Sequence, residues 1–155
     1  MRWTIKPKPE STKLAIMKKV LQVDDTVATL LLQRGIDNYE AAKTFFRPSF
    51  NDLHNPYLMK DMDKAVSRIE AAIENNENIL VYGDYDVDGT TSVALMSSYL
   101  KTKTENVAIY IPDRSVEGYG VSYKGIDFAE DNGFSLIIAL DCGVKAIEKV
   151  AYAKG

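Results

Sequence analysis

The stretch from Ile79 to Ser92, ILVYGDYDVDGTTS, constrains this chain more than any other. Its apolar opening, Ile79-Leu80-Val81-Tyr82, is partly β-branched and predicts a buried strand that Gly83 ends. Three aspartates follow at alternate positions, Asp84, Asp86 and Asp88. Gly89 allows a sharp turn after them, and Thr90, Thr91 or Ser92 is expected to cap a helix through Val93, Leu95, Met96 and Leu100. A strand feeding a helix in this way sets the carboxylates at the C-terminal edge of a sheet, where open α/β sheets bind ligands.

Three anions so close together repel one another and add nothing to packing. A divalent cation is the simplest compensation, since Mg²⁺ and Mn²⁺ are hard ions that take oxygen ligands. The plain alternative is a solvated acidic loop, but the strand before and the glycine after fix this one. A calcium loop also begins D-x-D-x-D-G, yet it needs an acid at its twelfth position and a helix in front. The twelfth position here is Leu95 and the preceding segment is a strand, so that reading fails.

The rest of the chain supplies the frame. Residues 1 to 11 read as an extended arm with two prolines, in which Trp3 is expected to pack. Short helices are predicted at Leu14 to Leu21, at Thr26 to Gln33 capped by Asp24 or Asp25, and at Tyr39 to Phe46 begun by Asn38. His54, the only histidine, sits in a turn-like stretch and reads as a loop residue rather than a ligand. Asp61 starts an amphipathic helix with Met62, Ala65, Val66, Ile69, Ala72 and Ile73 on one face. Two further apolar runs, Val107 to Ile111 and Leu136 to Leu140, predict strands. Between them Ser122 caps a helix that Gly133 ends, and Val144 to Ala153 reads as the last helix. Near-continuous apolar strands alternating with helices predict an α/β fold, a doubly wound, mostly parallel sheet over 61–155, with a helical N-terminal extension over 1–60.

Composition limits the function classes. Hydrophobic residues make up 46% and charged residues 26%, as in ordinary globular chains, and no apolar run approaches the length of a membrane span. With no signal-peptide pattern at the N-terminus, a cytoplasmic location is expected. One cysteine, Cys142, excludes a disulfide framework and a zinc cluster, and reads as a small buried filler. A net charge of −3 argues against a broad basic surface but leaves room for a local groove.

Two more stretches carry candidate chemistry. Asp141 ends the third strand as Asp84 ends the first, so it is either a partner of the aspartate loop or the cap of the last helix. In the loop IPDRSVEGYG, Arg114 offers a planar fork suited to phosphate or is a surface charge. Gly118 and Gly120 allow backbone to approach a ligand, and Tyr119 either stacks on a base or packs.

VYGDYDVDGTTS resembles the first motif of the DHH phosphoesterases, in the form carried by the family's single-strand-specific 5′→3′ DNA exonucleases. The loop at 111–120 and LIIALDCG at 136–143 are similar to later motifs of that family, and RGI with AAKTFFRPSF and PYLMKDM is similar to its helical lead-in. The resemblance implies hydrolysis of phosphodiesters in single-stranded DNA to 5′-mononucleotides, in DNA repair and recombination, with two Mn²⁺ or Mg²⁺ ions. It implies Asp86 and Asp88 as metal ligands, Asp84 as a ligand or its outer support, and Asp141 as a bridging ligand. It raises Arg114 as a phosphate-positioning group, with Gly118, Tyr119 and Gly120 in the substrate loop and Lys124 as a weaker candidate. A single-strand-binding protein and a helicase are the further partners it implies. The family's histidine-bearing triplet is absent, so the chain reads as an N-terminal fragment with part of one metal site, inactive by itself. A small-molecule phosphodiesterase of the same superfamily and a non-catalytic scaffold are the alternatives.

Overall fold

The computed structural model describes residues 3–155, and its contacts divide the chain after Leu58. Among its described residues the N-terminal unit holds three α-helices, α1 (Ser11–Leu21), α2 (Asp25–Leu32) and α3 (Tyr39–Phe46), followed by two short 3-10 turns. Met17, Ala28 and Leu31 form its small core. Caps set two of the helix starts: Asp24 accepts the Val27 N–H at 2.9 Å and Asn38 accepts the Ala41 N–H at 2.9 Å. The arm before α1 is tied by Lys6 to the Gln33 carbonyl and by the Gln33 amide to the Pro7 carbonyl, each at 3.1 Å. Trp3 does not pack, contrary to expectation. It is 92% exposed, because the polar ties fix the arm further along.

The second unit is α/β. A helix α4 (Met62–Glu74) leads into β1 (Ile79–Gly83), then α5 (Val87–Lys101), β2 (Val107–Tyr110), α6 (Tyr123–Asp131), β3 (Leu136–Leu140) and α7 (Ile147–Tyr152). The three strands are parallel in the order β2-β1-β3. Alternation along β1 serves both faces of the sheet. Ile79 and Val81 pack with Ala72 of α4 and with Val93 and Leu100 of α5. Tyr82 meets α6, where a Cβ on Gly125 would lie 2.5 Å from the Tyr82 ring and 3.0 Å from that of Tyr110. Helices thus cover both faces, the doubly wound arrangement. Each fully buried aliphatic side chain of β1 contributes about 1.5–3 kcal/mol to the fold. Among the described residues no helix is long and apolar enough to cross a membrane.

Three further expectations about the second unit need correction. Burial of the strand on both faces holds for β1, whereas β2 and β3 are only partly covered. The last helix begins at Ile147 and not at Val144, because Asp141 and Gly143 take left-handed backbone that delays helix entry. The helix after the aspartates starts at Val87, well before Val93, and its cap is Asp86 rather than Thr90, Thr91 or Ser92. Aspartate is among the best N-cap residues, and it lies nearer the strand end than the hydroxyl residues do.

Candidate metal centre

Strand order places the candidate site. β2 is added on one side of β1 and β3 on the other, so the order of strand addition reverses at β1 and leaves a crevice at its C-terminal edge. Gly83 pairs with Leu140 in the β1–β3 register. Asp84 and Asp141 are therefore the next residues beyond a matched pair on adjacent parallel strands. Beyond β2, whose Tyr110 pairs with Tyr82, the Arg114 loop leaves at the same edge.

The aspartate loop is drawn tightly against its helix. Asp86 accepts the Gly89 N–H at 3.0 Å, so Gly89 is part of α5 and not a turn. A Cβ on Gly89 would lie 2.2 Å from the Asp84 carbonyl oxygen, which is why glycine is needed there. Thr90 and Ser92 donate their hydroxyls back to the Asp86 and Asp88 carbonyls at 2.7 and 2.6 Å. Asp88 stands in the first turn of α5, where a carboxylate suits the helix dipole.

Asp84 is 1% exposed, and neither carboxylate oxygen has a hydrogen-bond partner. A buried carboxylate without donors costs several kcal/mol unless a cation or a proton meets it. Asp141 has an exposed side chain and a φ of 55°. Local desolvation first, and then the charges of Asp86, Asp88 and Asp84, hold its carboxyl above the ordinary carboxylate value, with Asp86 within hydrogen-bonding reach. The four aspartates thus share one edge, where the charges of the other three bear on Asp141. Among the described residues, no three His, Cys, Asp or Glu side chains already converge into a closed ligand set. One Asp86 oxygen is engaged in capping. The donor set is nonetheless all oxygen and anionic, and the orphaned Asp84 oxygens are what a hard divalent ion would satisfy, so the residues fit Mn²⁺ or Mg²⁺.

The neighbouring loops bring a cation and an aromatic hydroxyl. The Arg114 guanidinium carbon lies 5.3 Å from the centre of the Tyr85 ring. Tyr85 stands between Asp84 and Asp86, and sequence reading missed its part; the intervening residue in D-Y-D was the available signal. The Tyr119 hydroxyl donates to the Asp141 carbonyl at 3.4 Å, and the ring is 62% exposed, so it does not pack into the core. Desolvation and the charge of Asp141 raise its hydroxyl's pKa. Gly120, at φ +79°, passes so close to the Cys142 carbonyl that a Cβ would lie 3.0 Å from that oxygen, whereas Gly118, at φ +77°, has open space beside it. Cys142 is only half-buried and its Sγ–H donates to the Leu140 carbonyl at 3.2 Å. Burial, then Asp84 and Asp141, push the thiol up to about 11, so at neutral pH it is not a thiolate nucleophile.

Residues 78–155 match a protein family described as the DHH family, N-terminal domain. The chain is 40% identical to the single-stranded-DNA-specific exonuclease RecJ of Bacillus subtilis (strain 168), over 99% of this chain and 20% of that protein. A crystal structure of exonuclease RecJ bound to manganese is similar with a TM-score of 0.55 and 30% identity, over 63% of this chain and 25% of that one. RecJ of Thermus thermophilus in complex with Mn²⁺ shares the fold, with a TM-score of 0.66 at 22% identity over 96% of this chain and 20% of that one. The chain thus spans about a fifth of the length of the curated relatives it matches.

Proposed function

Because the chain belongs to the DHH family, we propose that it supplies part of the active site of a metal-dependent 5′→3′ single-stranded-DNA exonuclease of the RecJ kind, which releases 5′-mononucleotides. The observation that carries this reading is Asp84, a fully buried carboxylate with both oxygens free, beside three further aspartates at a sheet switch point.

In this reading Asp84, Asp86, Asp88 and Asp141 hold Mn²⁺ or Mg²⁺. Such ions stabilise charge on a phosphoryl oxygen and make bound water a stronger nucleophile at neutral pH. The protein's own residues do the rest. Asp86 keeps one oxygen on the Gly89 N–H, which fixes where its other oxygen points. Arg114, laid over Tyr85, orients a phosphate beside the carboxylate edge. Gly118 and Gly120 shape the loop, and Tyr119 stands at the rim with its ring free for a base. The work belongs to DNA repair and recombination in the cytoplasm, alongside a single-strand-binding protein and a helicase. The 155-residue chain alone binds the cation without turnover, because four carboxylates, one already capping a helix, are too few for two ions.

The test is digestion of 5′-labelled single-stranded DNA, double-stranded DNA and a cyclic dinucleotide by the protein carrying this chain at its relatives' length. Mn²⁺-dependent release of mononucleotides from the single strand alone is expected. Preference for the cyclic dinucleotide would replace the proposal with a small-molecule phosphodiesterase.

A further inference from the structure

Glu117 lies within the Arg114 loop, and nothing in the sequence singles it out. The structure gives it three donors. One carboxylate oxygen accepts the Asp113 N–H at 2.8 Å. The other accepts the Tyr110 hydroxyl at 2.9 Å and the Ser122 hydroxyl at 2.5 Å. Burial alone would push this carboxyl up, but the hydrogen bonds from Ser122, Asp113 and Tyr110 outweigh it and hold the group below its ordinary value.

These partners are the two ends of the loop. Tyr110 is the last residue of β2 and Ser122 is the N-cap of α6. The Glu117 N–H returns to the Asp113 carbonyl at 2.8 Å, and the Ser115 N–H is taken by the Asp113 side chain at 2.8 Å, which closes a ring around Arg114. Behind it, Tyr82 accepts the Ser122 N–H and donates to the Gly120 carbonyl, both at 3.0 Å. The segment from 110 to 122 is therefore fastened at both ends and across its middle, and Glu117 bonds to a residue at each of these places, Tyr110, Asp113 and Ser122. What the loop presents outward is Arg114 over Tyr85 and Tyr119 at Asp141.

We propose that Glu117 is a positioning residue that acts through Arg114: its carboxylate ties the end of β2 to the start of α6 and thereby sets the guanidinium over Tyr85, beside the aspartate edge. The proposal rests on the reading that Arg114 handles phosphate there.

Two measurements test it. In NMR spectra of this chain, the Arg114 side-chain protons are expected to carry a ring-current shift from Tyr85, given the 5.3 Å between guanidinium carbon and ring centre. Glu117→Ala is expected to abolish that shift and to speed amide exchange at residues 115–117. Glu117→Gln retains an oxygen for the Asp113 N–H and should restore part of the shift. Should the alanine variant not fold, Glu117→Gln and Tyr110→Phe carry the same comparison. An unchanged Arg114 shift in the folded Glu117 variants would overturn the proposal. In the longer protein, Glu117→Ala should lower kcat/KM on a 5′-phosphorylated oligothymidylate to within about twofold of Arg114→Ala, and the double variant should fall no further. Losses that simply multiply would mean that Glu117 acts on stability and not through Arg114. If the longer wild-type protein shows no Mn²⁺-dependent hydrolysis, the functional reading fails, while the NMR comparison still decides the position of Arg114.

Discussion

Asp84 and Asp141 stand side by side at the end of adjacent strands, yet the first is buried and the second exposed. Replacing Asp84 by asparagine removes a buried charge at constant volume. In metal-free solution this should stabilise the unit, by on the order of 1–3 kcal/mol, in chemical denaturation. The same variant should lose the stabilisation that Mn²⁺ confers on the wild type. For Asp141 the sign runs through pH. Its folded-state value lies above the ordinary 3.8, so the folded chain keeps a proton that the unfolded chain releases. Its contribution to stability is full below that value and is lost as pH rises through the raised one. Urea melts across acidic pH should show metal-free stability falling in that window, and Asp141→Asn should flatten the fall.

At the scale of elements, the join of β1 to α5 sets the site. Asp86 caps α5, so Asp86→Ala would cost about 1 kcal/mol of helix stability while relieving repulsion. Asp86→Asn keeps the cap and removes the charge. It should leave the fold intact and, in the longer protein, abolish hydrolysis of single-stranded DNA; wild-type rates would refute the ligand assignment. Gly89→Ala should destabilise by roughly 1–3 kcal/mol, because its Cβ would meet backbone at 2.2 Å. Gly118→Ala meets nothing within 4 Å and should cost only the left-handed backbone penalty, about 1 kcal/mol. Denaturation midpoints of the two variants separate steric from conformational roles. The strands and most helices were legible, since apolar runs such as Leu136 to Leu140 and caps such as Asn38 and Ser122 act locally. The start of α5 was not, because Asp, Thr and Ser all cap well and only the packing of Gly89 against Asp84 chooses among them. Glu117 and Tyr85 were missed for a related reason. Tyr85 meets Arg114 only because β1 and β2 pair in parallel, and Glu117 reaches Tyr110 and Ser122 only once the loop between β2 and α6 folds back on itself.

For the molecule as a whole, three parallel strands deliver two acidic loops and one arginine loop to the same edge, and the account stands on that edge being a cation site. A Mn²⁺ titration followed by NMR tests it most directly, because the ion broadens only the resonances near it. Binding at a hundredfold excess over Kd stabilises a fold by about 2.7 kcal/mol, and a weaker site correspondingly less, so the map is more decisive than the melting point. The account predicts broadening centred on residues 84–88 and 141–143, saturable, and lost in both Asp84→Asn and Asp141→Asn. Broadening centred on other acids, such as Asp61 and Asp63, or undiminished in those two variants, would contradict it.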